Sequence, residues 1–218
     1  MTPEERKANS EKILTEKGID FEEELEPISS ASEVKLRSFD EICKRAIAAL
    51  LSTQAAIELN DKNPEGMEKF KRLMIYFGVE ECLNEYETRV MENKASEQDM
   101  AEVVWEYECC WALFWVLGLI DDITDAGNIC DCAKAISFVS QCESFEDFKN
   151  QCKLRSTDEI LDMADLYYRY DWACDHHAYI DSDWNIGGLD KDIVYERRLA
   201  IEWTMGSTDD WFKMSLDT

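Results

Sequence analysis

Proline occurs only at positions 3, 27 and 64 of this 218-residue chain, and glycine only eight times. A β-sandwich needs turn chemistry every few residues, whereas long helices need none, so so few breakers point to an all-α or nearly all-α fold. The breakers that exist sit where helices begin and end. Thr2-Pro3-Glu4-Glu5 combines an N-cap, a proline suited to the first helical position and a glutamate completing a capping box, and Gly18 stops that helix. Asn63-Pro64 opens another helix, which ends at Gly78.

Apolar periodicity fills in the rest. Ser38 with Glu41 caps a helix whose apolar face carries Ile42, Cys43, Ala46, Ile47, Leu50 and Ile57, with Lys44 and Arg45 off that face. Residues 79–94 read as helical with a weaker pattern. Ser96 with Asp99 begins a central helix over 97–118, whose stripe is Met100, Val103, Val104, Tyr107, Cys110, Trp111 and Phe114. Beyond Glu108 this helix is apolar all round, as in a helix buried on every side. A loop is predicted over 121–131 and one or two short helices over 132–152. A long helix runs from the Ser156 capping box to about Tyr179, and a last helix is capped by Asp190 and closed by Gly206. The expected arrangement is one domain over 1–218 with six to eight helices packed around the central one. It divides into an N-terminal helix and wrapping segment (1–32), a core (33–206) and a tail (207–218). Lys35–Ile42 and Lys153–Ile160 agree at seven of eight positions, which reads either as a duplicated unit or as convergent capping chemistry.

The formal net charge is −25, from 48 acidic against 23 basic residues. Such a surface repels phosphate backbones and anionic lipid, so neither a nucleic acid nor a membrane is expected as partner, while a basic protein partner is permitted. The longest uncharged apolar run, Cys109–Ile120, has 12 residues, short of the roughly 20 that span a bilayer. The start of the sequence lacks the apolar core of a secretory signal, and the nine cysteines are an odd, scattered set, several inside apolar helical runs. Reduced thiols and a cytoplasmic location are expected.

Nucleotide-binding, nucleophile-elbow and zinc-protease signatures are absent, and two adjacent histidines give a catalytic triad little footing. Cys130-Asp131-Cys132 and Cys174-Asp175-His176-His177 offer thiol and imidazole groups, but not the paired spacing of zinc sites, so neither metal nor cofactor is expected. Charges on apolar helix faces are more informative. Glu196 falls between Trp203 and Ala200, Arg197 between Ile193 and Ile201, Glu108 lies at the edge of the central stripe, and Asp171 sits among Ala164, Tyr167, Tyr168 and Cys174. Arg37 and Arg155 precede helix starts and can reach inward. Buried charges must be paired. The candidate polar network is therefore Arg37, Glu108, Arg155, Asp165, Arg169, Glu196 and Arg197. It is either a set of pairs fixing helix registry, or a pocket in which a carboxyl of raised pKa works beside arginine.

Several strings taken in order carry a resemblance. They are Glu33–Ser38, Trp105–Glu108 followed by Trp111–Gly118, Leu154–Ser156, Asp165–Arg169 and Val194–Arg198, with the Ser10–Leu14 start. Across nearly its whole length the chain resembles a mostly bacterial domain-of-unknown-function family, number 4272. The resemblance implies a single domain in a bacterial cytoplasm, no established activity and no catalytic residues to carry over. It also implies His where this chain has Asp171. The function expected is that of a non-enzymatic acidic cytosolic interaction protein; the alternative is a hydrolase-like or small-ligand-binding protein using a Glu/Arg/Asp pocket.

Overall fold

Helix starts form where the capping chemistry places them. The computed structural model describes residues 1–206, 208 and 210–216, and among these there are nine α-helices, two short 3₁₀ turns and no strand. The helices are α1 (Pro3–Lys17), α2 (Phe39–Asn60), α3 (Pro64–Phe77), α4 (Glu85–Met91), α5 (Glu97–Val116), α6 (Cys132–Ser140), α7 (Phe145–Gln151), α8 (Thr157–Tyr179) and α9 (Lys191–Met205). Thr2, Ser38, Ser96 and Ser156 each close a reciprocal capping box, and Gly18 and Gly78 end α1 and α3 in the left-handed conformation. No described helix is long and apolar enough to cross a membrane.

Two expectations are corrected. Residues 79–94 are not one helix: a 3₁₀ turn (Glu80–Cys82) is followed by the seven-residue α4, opened by a capping box between Asn84 and Glu87. With α6 and α7 both formed, the count exceeds the expected six to eight. The second correction is Arg45, placed off the apolar face of α2 but only 4% exposed. Three residues after Ile42 and four before Ala49, it lies on the buried side after all. Of the expected tail, residues 207, 209, 217 and 218 lie outside the described residues, and Trp211–Lys213 forms the second 3₁₀ turn.

The chain divides into two compact units. Unit 1 comprises Met1–Arg37, Asp122–Ile129 and Arg155–Thr218; unit 2 comprises Ser38–Asp121 and Cys130–Leu154. Both copies of the repeated Lys-Leu-Arg-Ser string span a point where the chain passes from one unit to the other, Arg37 to Ser38 and Leu154 to Arg155.

In unit 2, α2 packs against α3, α4, α5, α6 and α7, while α5 also meets α4 and α6. Fully buried alanines at 46, 48, 49, 55 and 56 keep the surface of α2 shallow, so that several neighbours come close. Thr53 on α2 donates to the carbonyls of Ala49 (2.8 Å) and Val103 (3.1 Å), tying α2 to α5. Past α5, Gly118 has φ +72°, and a Cβ there would stand 2.7 Å from the Lys153 carbonyl, so both conformation and space require glycine.

In unit 1, α8 packs against α1 and α9. Arg6 of α1 is buried and bonds Asp162 (2.8 Å) and Asp158 (3.0 Å) on α8. The acidic segment after α1 folds back along it, with Lys7 donating to the carbonyls of Glu23 (2.5 Å) and Leu25 (2.8 Å). Gly187, at φ +59°, lets the α8–α9 connection pass over the end of α1, where a Cβ would come within 2.5 Å of Ile19.

Candidate functional site

The last helix buries the charges that its wheel placed inside. Glu196 and Arg197 are both buried, Arg197 to 2% exposure. The guanidinium of Arg197 holds the loop 122–129 by its backbone. It donates to the carbonyls of Asp125 (2.5 Å), Asn128 (3.2 Å) and Ile123 (3.4 Å), and to the Tyr167 hydroxyl (3.3 Å). Tyr167 itself donates to the Ile123 carbonyl (2.6 Å), Tyr170 to that of Thr124 (3.2 Å), and the Asp190 amide to that of Ala126 (2.9 Å). A planar fork with several fixed N–H vectors suits the convergent carbonyls of an irregular loop, which no ladder can satisfy.

Contacts of the other candidates in unit 1 include the following. Asp165 and Arg169, both fully buried, form a two-point pair along α8 at 3.0 and 3.1 Å. Arg37 lies 4.3 Å over the Trp203 ring and donates to the carbonyls of Trp203 (2.8 Å) and Thr208, which closes the end of α9. Arg155, just before α8, bonds Glu159 in its first turn (3.2 Å). Asp171, where the family resemblance implies His, meets Arg198 at 2.5 Å, and both are buried. Burial pushes the Asp171 carboxyl up, against the opposing pull of Arg198. In unit 2, Glu108 is buried and accepts the Cys130 amide (2.7 Å).

Another buried ionic cluster lies outside the candidate set. In unit 2, Arg45 grips both oxygens of Glu87, at 2.9 Å through one of them, and reaches Glu106 at 3.4 Å. Asn84 donates to Glu106 (2.9 Å) and exchanges two capping bonds with Glu87. Glu87 and Glu106 are both 0% exposed. Burial, then the neighbouring Glu87 charge, raises the Glu106 carboxyl well above the ordinary range. Glu87 is held below that range, because Arg45 and its hydrogen bonds outweigh the larger upward push of burial. One cation thus lies beside two carboxyls whose titrations are driven apart, Glu87 downward and Glu106 upward. A signal was present in the sequence: Glu106 lies three residues after Val103 and four before Cys110, within the apolar stripe, and Asn84-x-x-Glu87 is a capping box.

Three clefts of unit 2 are lined by other residues. One, of about 280 Å³, lies among α2, α3 and α6. Two more open ones involve Lys71, Met74 and Met91, and Glu58, Lys62 and Met67. The thiols of Cys130 and Cys132 stand 3.9 Å apart in unit 2, and Cys174 and His176 lie in unit 1. Among the described residues no three His, Cys, Asp or Glu side chains gather where a metal ion could be held.

The nine cysteines are free, and Cys43, Cys109, Cys110, Cys130 and Cys174 are buried. Burial raises the Cys110 and Cys130 thiols and brings Cys174 to about 12. Half-buried Cys152 is raised first by its hydrogen bond to Cys43. A thiol reagent on native protein is therefore expected to label Cys82, Cys132 and Cys142 first, Cys152 slowly and the buried five only on unfolding. Nine thiols reacting in one phase would contradict this.

A protein-family model matches residues 6–214, nearly the whole chain. No curated protein and no solved structure matches it.

Proposed function

We propose that this chain, which belongs to the family described as Domain of unknown function (DUF4272), is a non-enzymatic interaction protein that docks a basic protein segment through unit 1. The observation that carries the proposal is the end of α8. Tyr179 and Ile180 are 76% and 75% exposed side by side, next to the exposed Asp181 and Asp183, with exposed Asp20 bonded into the same turn. Lys191, paired with Asp175 (2.6 Å), already lays its ammonium 4.0 Å over the Tyr179 ring, so this chain itself shows a lysine held by the tip's ring and carboxylates. Adjacent large apolar side chains beside such carboxylates suit a partner carrying an apolar anchor among lysines or arginines. The tip is also braced. His176 stacks on Trp184 (4.1 Å) and Trp172 (4.7 Å), the His177 Nδ1 meets the Trp184 carbonyl (2.8 Å), and the Trp184 indole donates to Asp20 (2.9 Å). A rigid tip lowers the ordering cost of association.

The charge of −25 steers a basic partner toward the protein and turns nucleic acid and anionic membrane away. Nine free cysteines favour a reducing compartment, the cytoplasm. The reading as a Glu/Arg/Asp pocket has less support, since Asp165 and Arg169 bond each other and Arg197 bonds backbone carbonyls.

A photo-crosslinking side chain at position 180, in cells, is expected to capture a basic protein. The purified pair should then weaken at least roughly tenfold between about 50 mM and about 500 mM salt, and again in the Tyr179→Ser, Ile180→Ser double variant. An absent adduct, or a captured protein whose affinity ignores both salt and the double variant, would end the proposal.

A further inference from the structure

The α2/α3/α6 cleft of unit 2 has a different chemistry from the acidic tip. Its walls are mainly apolar, with Leu50, Leu51, Phe70, Phe77, Ile136 and Val139 among them and Gln54 and Ser140 beside them, and its volume is about 280 Å³. At about 30 Å³ per water-sized group, that admits a tail of roughly eight to ten heavy atoms. Tyr76 closes one side by donating its hydroxyl to the Glu143 carbonyl. Lys69 also lines the cleft, its Nζ 5.4 Å from the Phe70 ring centroid. Among the described residues Lys69 makes no ion pair, although the chain holds 48 carboxylate side chains. An ammonium beside an apolar cavity, without a carboxylate of its own, complements an amphiphile whose tail enters the cavity and whose head is anionic.

We propose that this cleft is a binding site for a small amphiphilic carboxylic acid, with the aliphatic tail between α2, α3 and α6 and the carboxylate on Lys69. The site is independent of the α8 tip and takes a ligand of opposite charge to the partner proposed there. Cys142 also lines the cleft and is half-buried, so it reports on occupancy without being needed for binding.

The test uses the full chain with octanoate and octanol, below their aggregation limits. Calorimetry is expected to give one octanoate per chain with a Kd on the order of 100 μM. Saturating octanoate should slow the modification of Cys142 and leave that of Cys82 unchanged. Lys69→Glu, a change at an exposed position, should weaken octanoate about tenfold and octanol less than about twofold. Leu73→Trp, on the half-buried rim, should fill the cleft and remove both ligands, and Ile136→Trp provides a second filling variant if the first disturbs folding. The proposal is overturned by octanoate failing to bind below about 1 mM. It is equally overturned by Cys142 labelling that ignores the ligand, by unchanged octanoate affinity in Lys69→Glu, or by octanoate binding retained in a folded filling variant.

Discussion

Arg45→Met is expected to destabilise the protein by about 3–5 kcal/mol, because it leaves the fully buried Glu87 carboxylate without its cation. Glu87→Gln should cost about 2–3 kcal/mol, the loss of hydrogen bonds to a charged group, because Arg45 keeps Glu106 as a counter-charge once the Glu87 charge no longer opposes its ionisation. Glu106→Gln should behave differently. Burial opposes the charge of Glu106, so an amide removes a disfavoured ionisation: its oxygen still accepts from Asn84, and what is lost is the long contact from Arg45 (3.4 Å). Its stability should stay within about 1 kcal/mol of the parent at neutral pH. The pH dependence separates the two carboxyls. Glu106 has a folded pKa above its unfolded one, so its contribution is complete below the ordinary glutamate range and declines as pH rises toward the raised value. Glu87 has a depressed folded pKa, so its contribution is present above the ordinary range and is lost as pH falls through the depressed value. Urea unfolding across pH should therefore show a falling slope above the ordinary glutamate range that disappears in Glu106→Gln. Equal losses in Glu87→Gln and Glu106→Gln would refute this division of roles.

Arg197→Met is expected to cost about 3–5 kcal/mol as well, for another reason. Three loop carbonyls and a tyrosine hydroxyl share its guanidinium, and hydrogen bonds to a charged group are worth about 1.5–3 kcal/mol each, though not additively. Arg197→Lys should recover only part of the loss, since one ammonium cannot span carbonyls that the two Nη atoms reach separately. The damage should appear first as proteolytic cleavage within 122–129, before global unfolding. A Tm shift equivalent to less than about 1 kcal/mol, with the loop still resistant, would show that the arginine does not hold it. If Arg197 instead served a solvent-filled working site, the loss would be mild, because water would reach the stranded groups.

Local chemistry was legible in the sequence because its partners lie within four residues. The boxes at Thr2, Ser38, Ser96 and Ser156, and the glycine stops at 18 and 78, form as the sequence implies, since each satisfies the free N–H or C=O groups of its own helix end. A helical wheel also sufficed to bury Glu196 and Arg197, because the side facing the core is a property of one helix. Which atoms meet a buried charge is not. Arg45 and Glu106 are 61 residues apart and face each other only because α2 packs on α5. The break between 79 and 85 follows from the same packing: the Cys82 carbonyl accepts Arg45 rather than a helical N–H, and Asn84 then opens a new helix. The carbonyls of 122–129 find Arg197, and the cleft beside Lys69 takes shape, only once α9 and α3 have their neighbours. Periodicity fixes the direction in which a side chain leaves its helix; the distance and identity of what it meets depend on how helices remote in sequence pack together.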